Sequence, residues 1–121
     1  MNILVIDDEE VVRDFISESL SEFGTVVTAS DGPSGLKLFK CNQFDVVFTD
    51  RSMPGGMLGE EVIREIKLSS PKTFVIFMSA DNREEVARVG IAAGANKIIF
   101  KPVRLESIEK AIMETITALR G

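Results

Sequence analysis

The chain has 121 residues, a formal net charge of −5, one cysteine and no histidine. This length predicts one domain over residues 1–121 with a single core, and the acidic balance argues against direct nucleic-acid binding. Without histidine, the chain cannot form the serine or cysteine triads that depend on it, and most zinc sites are excluded.

The cysteine content and the start of the chain bear on location. Cys41 is the only cysteine, so no internal disulfide can form, which suits a reducing compartment. The apolar run Ile3–Ile6 is too short for a secretory signal or a membrane span. We therefore expect a soluble, cytoplasmic protein that does not engage a membrane.

The first half of the chain alternates between short apolar runs and segments with helical spacing. Ile3–Ile6 is a continuous apolar run, which is typical of a strand buried on both faces. Apolar residues three and four positions apart then predict a helix. A second strand at 25–28 follows, then a helix that begins near Pro33. A third strand at 44–49 ends at Asp50.

The second half repeats this alternation. Its predicted elements are a loop at 53–56, a helix around Ile63, a strand at 74–78, a short helix around Val86, a strand at 96–100 and a last helix at 105–119. Five strands that alternate with five helices predict a parallel sheet with helices on both faces. In such a sheet, ligands bind beyond the carboxyl ends of the strands.

Polar side chains follow four of the predicted strands. Asp7 and Asp8 follow the first strand, Asp50 the third, Ser79 the fourth and Lys101 the fifth. Three neighbouring carboxylates repel one another unless a cation neutralises them or one stays protonated, and Mg²⁺ is the natural cation. An aspartate can also attack phosphorus, while a metal, an ammonium and a hydroxyl hold the transferred oxygens.

Each of these residues also has a structural explanation when it is taken alone. Asp7 and Asp8 could precede a helix N-terminus, Asp50 could be a loop acid, Ser79 could cap a helix, and Lys101 could be a surface charge. A functional site is favoured because all of them fall at one edge of the sheet. The chain has no GxxxxGK[ST] or GxGxxG motif for a nucleotide. We assign the remaining nearby charges to solvated helix faces: Arg13, Asp14, Glu60 and Glu61.

The chain carries five short motifs: Ile6-Asp7-Asp8-Glu9, Thr49-Asp50-x-x-Met53-Pro54, Met78-Ser79-Ala80, Ala93-Gly94-Ala95 and Lys101-Pro102. With these motifs in this order and spacing, the chain resembles the receiver domain of two-component response regulators over essentially its whole length. The resemblance implies an α/β fold, a single doubly wound domain whose five-stranded parallel sheet has the order 2-1-3-4-5, with five helices.

The resemblance also implies a role for each site residue. Asp50 would be the phospho-acceptor, and Lys101 and Ser79 would contact the phosphoryl group. Mg²⁺ would be bound by Asp8, Asp50 and the backbone carbonyl of Ser52, with Asp7 acting through water. The Lys101–Pro102 peptide is often cis in this family.

The implied function is a phosphorelay switch. The donor would be a phosphohistidine on a histidine kinase or a histidine phosphotransfer protein, and the output a protein partner or a homodimer. The chain would be no enzyme beyond its own phosphorylation and dephosphorylation. Two alternatives remain: a non-phosphorylated pseudo-receiver that serves as an interaction module, and an aspartyl-phosphate phosphatase.

Three departures from the family pattern concern the output. Ile98 stands where the family has an aromatic switch residue, and Phe100, on the same strand face by period two, could fill part of that space. The loop Gly55–Gly59 is one residue longer than usual, and its two glycines allow positive φ. Val103 replaces the frequent phenylalanine after Lys-Pro.

Overall fold

The computed structural model describes all residues from Met1 to Gly121. Five strands alternate with five helices: β1 Asn2–Ile6, α1 Glu10–Leu20, β2 Thr25–Ala29, α2 Gly32–Cys41, β3 Val46–Asp50, α3 Gly59–Ser69, β4 Phe74–Ser79, α4 Glu84–Ala93, β5 Lys97–Phe100 and α5 Leu105–Arg120. The strands pair in parallel in the order β2-β1-β3-β4-β5. The expected fold class and sheet order are confirmed.

Both faces of the sheet are covered by helices, which explains the continuous apolar runs. One apolar layer joins residues such as Leu4 and Val47 to α2, α3 and α4. The other joins residues such as Ile3 and Phe48 to α1 and α5. Successive residues of one strand therefore enter opposite layers, and a central strand needs apolar side chains at every position.

The third strand begins two residues later than its apolar pattern predicts. Phe44 is buried, but its ring stacks on Phe39 with centroids 6.1 Å apart. Asp45 accepts a hydrogen bond from the Asn2 backbone N–H at 2.7 Å through its carboxylate. These side-chain contacts belong to the turn that leads into β3, so the strand starts at Val46.

The turn that follows β3 depends on glycine. Gly55 and Gly56 have φ angles of 91° and 76°, as expected for the loop that carries them. Gly59 begins α3 with its Cα against the end of β3, where an added Cβ would overlap the Asp50 carbonyl oxygen. The glycines thus allow α3 to start close to the acceptor candidate.

No helix in the chain has the length and apolar character needed to cross a bilayer.

Candidate functional site

The three aspartates predicted at the sheet edge lie together. One carboxylate oxygen from each of Asp7, Asp8 and Asp50 lies within 4.8 Å of the other two. Asp7 is fully buried and Asp50 is only 6% exposed, whereas Asp8 is open to solvent. Their positions follow from the fold, because the parallel strands β1 and β3 are neighbours and both end at this edge.

Lys101 brings the compensating positive charge from the end of β5. Its Nζ lies 2.9 Å from Oδ2 of Asp7, 3.3 Å from Oδ1 of Asp50 and 3.1 Å from Oε1 of Glu9. Burial disfavours the ammonium, but the hydrogen bond with Asp7, the charge of Asp50 and the hydrogen bond with Glu9 outweigh it and raise the pKa of Lys101. The side chain is therefore a permanent cation held by three acids.

The positive charge of Lys101 does not fully offset the burial of Asp50 and the negative charge of Asp7 beside it. Burial, and next the charge of Asp7, raise the pKa of Asp50 from 3.8 to about 7, against the opposing effects of Lys101 and the Arg51 backbone N–H. That N–H donates to Oδ1 of Asp50 at 2.9 Å. The structure thus holds an acceptor candidate whose carboxyl group is only partly ionised near neutral pH.

Ser79 lies at the same edge but its hydroxyl is engaged elsewhere. Its Oγ donates to the Asp81 carbonyl at 3.1 Å and accepts from the Asp81 backbone N–H at 3.0 Å. Asp81 in turn is bound by Arg83, whose hydrogen bonds lower the pKa of Asp81 to about 2. The hydroxyl is therefore part of the turn between β4 and α4.

These residues surround one open cleft. Its lining consists of Asp8, Glu9, Asp50, Arg51, Ser52, Ser79, Ala80, Asp81 and Lys101. The family model of the response regulator receiver domain matches residues 3–113 of the chain. The chain belongs to this family.

Individual receiver proteins support the same assignment. The crystal structure of a response regulator receiver domain protein from Clostridium thermocellum shares 35% identity, superimposes with a TM-score of 0.88, and covers 98% of this chain and 96% of its own. The probable chemotaxis protein CheY of Rhizobium etli is 27% identical over 99% of this chain and 95% of its own length. A cyclic di-GMP phosphodiesterase of Thermotoga maritima is 30% identical over 96% of this chain.

Several of these relatives are much longer than the matched region. The chain spans 31% of the Thermotoga phosphodiesterase and about half of the transcriptional regulatory proteins TcrX and AfsQ1 (46% and 45%). The matched region is thus nearly the whole of the Rhizobium protein but half or less of these three relatives.

Two charged residues of this receiver domain are not on the solvated helix faces where we expected them. Arg13 is half-buried and donates from Nη1 to the Asp7 carbonyl at 2.6 Å. Glu60 is only 5% exposed and lies 3.5 Å from Nε of Arg51. The spacing gave a signal for Glu60, because it precedes the buried Ile63 by three residues and so shares the inward face of α3.

Ile98, which departs from the receiver-family pattern, is accommodated by packing against the core. Ile98 is half-buried and packs on the core layer that holds Phe77, close to Gly90. Phe100 is 41% exposed and belongs to neither core layer, so a part for its ring in the space of the family's aromatic residue stays a prediction. The Lys101–Pro102 peptide is cis, as the resemblance implies.

Proposed function

We propose that residues 1–121 form a phospho-accepting receiver unit, in which Asp50 takes a phosphoryl group in the presence of Mg²⁺. The observation that carries this proposal is the buried Asp50 carboxylate, 3.3 Å from the Lys101 ammonium and within 4.8 Å of the oxygens of Asp7 and Asp8. Membership of the receiver family supports a phosphohistidine on a histidine kinase or a phosphotransfer protein as the donor, and since the chain has no histidine, that phosphohistidine belongs to another molecule.

The donor set fits a magnesium ion. Hard carboxylate oxygens are the ligands Mg²⁺ prefers, and it typically keeps water and phosphate oxygens in its other positions. Even with the ammonium of Lys101 nearby, the pKa of Asp50 is about 7, so ionising Asp50 still costs free energy. A divalent cation would lower this cost further by neutralising the negative charge. Asp8, Asp50 and the Ser52 carbonyl would hold the ion, with Asp7 acting through water.

In the reaction, an Asp50 carboxylate oxygen forms the new P–O bond while the P–N bond to the donor histidine breaks and the nitrogen keeps the electron pair. Bound Mg²⁺ would neutralise charge on the phosphoryl oxygens. Lys101 lowers the pKa of Asp50 and so favours the ionised carboxylate before transfer, and its ammonium can bind a phosphoryl oxygen afterwards. The Arg51 backbone N–H orients the carboxylate through Oδ1.

The output of this switch would start at Ser79. A phosphoryl group adds about −1.5 to −2 charge and three acceptor oxygens at Asp50. Ser79 would exchange its contacts with Asp81 for one of these oxygens, which changes the turn into α4. A protein partner or a second copy of the chain that prefers one arrangement of α4, β5 and α5 then reads the change.

Intact mass after incubation with Mg²⁺ and acetyl phosphate tests the proposal. We expect the mass of one phosphoryl group, lost in Asp50→Asn and in chelator, and kept in the control Asp14→Asn, which removes an exposed acid from α1. A folded wild-type chain that gains no mass, but still binds a partner, would instead be a pseudo-receiver. Continuous turnover of a small phosphate ester would indicate a phosphatase.

A further inference from the structure

An ion pair between Arg51, the residue after Asp50, and Glu60 of α3 has no part in the chemistry described so far. Glu60 lies in the first turn of α3 with its side chain 7% exposed, and its Oε1 is 3.5 Å from Nε of Arg51. Both atoms are buried, and neither has a hydrogen-bond partner. A buried carboxylate is costly unless a charge compensates it, so the guanidinium is confined to the neighbourhood of Glu60.

The backbone of Arg51 connects this pair to the acceptor. Its N–H donates to Oδ1 of Asp50 at 2.9 Å and to the carbonyl of Met78, on β4, at 3.0 Å. Its carbonyl accepts from the Gly59 N–H, at the start of α3, at 2.7 Å. A movement of this residue would therefore change the hydrogen bond that orients the Asp50 side chain.

The glycine segment of the loop that follows Arg51 offers little restraint on the backbone. Gly55 and Gly56 have positive φ, and a Cβ added to either would meet no atom within 4 Å. Met53 and Met57 of this loop pack against the core through their side chains, and the next backbone hydrogen bond to the end of β3 comes from Gly59, where α3 begins. Two contacts thus hold residue 51 from the side of α3: the Gly59 N–H on its carbonyl and Glu60 on its guanidinium.

We propose that Glu60 is a positioning residue for phosphoryl acceptance, which acts on Asp50 through Arg51. This role rests on the proposed function. Glu60 holds the Arg51 side chain, the held residue keeps its N–H on Oδ1 of Asp50, and Lys101 binds the same oxygen. The other oxygen, Oδ2, has no hydrogen bond and is available to form the bond to phosphorus.

The test compares phosphorylation rates of neutralised variants. Glu60→Gln and Arg51→Gln are measured with Mg²⁺ in excess and a series of acetyl phosphate concentrations, with Glu65→Gln as the control because Glu65 is exposed on the same helix. Loss of one orienting hydrogen bond corresponds to a rate loss of about tenfold. We expect this loss in the maximal rate, with the half-saturating donor concentration unchanged.

A double variant keeps the test valid if a single one folds poorly. Arg51→Gln combined with Glu60→Gln leaves no unpaired charge in the interior. Because both residues act along one path, the double variant should be no slower than the slower single variant. Rate losses that multiply would contradict a shared path and overturn the role.

A measurement on the metal-free protein separates this role from the proposed function. The Arg51 Nε–H should give a slowly exchanging NMR signal in the wild type and in Glu65→Gln, and it should exchange rapidly in Glu60→Gln. A folded Glu60→Gln protein that has lost the slow signal but accepts phosphoryl groups at the control rate overturns the positioning role alone. A wild type that accepts none overturns the proposed function, and this role with it.

Discussion

The raised pKa of Asp50 leads to a prediction about stability that needs no phosphodonor. In the metal-free protein, replacing Asp50 by Asn removes an acid whose ionised form is disfavoured by burial and by Asp7. The Asp50 carboxyl group binds its proton more tightly in the folded state than in the unfolded state. The unfolding free energy of the wild type therefore falls as pH rises from 3.8 through about 7. Asp50→Asn lacks this loss and should be the more stable protein in mild alkali.

The size of the effect follows from the two pKa values. At about 1.4 kcal/mol per pH unit, a rise from 3.8 to about 7 corresponds to about 4 kcal/mol once Asp50 is fully ionised. Roughly half of this cost is already present at pH 5.5. The advantage of Asp50→Asn over the wild type should therefore grow by about 2 kcal/mol between pH 5.5 and pH 8.

Urea unfolding in chelator at these two pH values measures the difference, with Asp14→Asn as a control for the loss of one exposed charge. Added Mg²⁺ should stabilise the wild type more than Asp50→Asn, since a cation near the three aspartates favours the ionised carboxylate. The reasoning is refuted if the difference in unfolding free energy between wild type and Asp50→Asn is the same at both pH values, or if the stability of Asp50→Asn relative to the wild type is lower at pH 8 than at pH 5.5.

Two further predictions concern the local structure around the sheet edge. Asp31→Ala should cost about 1 kcal/mol at pH 7, because Asp31 caps α2 by accepting the Ser34 backbone N–H at 2.8 Å. That hydrogen bond lowers the pKa of Asp31, so the stability that Asp31 contributes is present above its ordinary pKa and is lost in acid. If wild type and Asp31→Ala differed in unfolding free energy by the same amount at pH 7 and pH 2.5, this explanation would be contradicted. Gly59→Ala should cost about 2 kcal/mol in urea unfolding, since the added Cβ overlaps the Asp50 carbonyl, whereas Glu65→Ala should be nearly neutral; equal stability of the two variants would show that α3 can shift away.

The sequence was informative about the fold because its strongest signal is hydrophobic burial. Runs such as Ile3–Ile6 have no polar position, and only a strand with helices on both sides accommodates that pattern. The ends of the runs then marked Asp7, Asp50 and Lys101, which the parallel sheet brings to one edge. The order of the strands came from the family resemblance, since periodicity alone does not state which strands are neighbours.

The contacts within the site could not be predicted in the same way. Whether the Ser79 hydroxyl reaches Asp50 or Asp81 depends on the turn between β4 and α4 and on a rotamer, neither of which leaves a repeating pattern. Acids are rarely buried without a partner, so the residue type by itself favours a solvated position for Glu60. Its partner, Arg51, precedes it by nine residues and reaches it only because Gly59 lets α3 start against the end of β3.

The charges at the edge explain why metal, proton and phosphoryl group should be linked in this receiver domain. Lys101 divides one positive charge among three acids, Asp7, Glu9 and Asp50. A proton on Asp50 relieves the excess negative charge at low pH, and a divalent cation can relieve it at higher pH while leaving the carboxylate free to react. Under the proposed function, these acids would make phosphoryl acceptance depend on a divalent cation. A site with fewer acids would bind its ion less tightly but would keep Asp50 ionised without it.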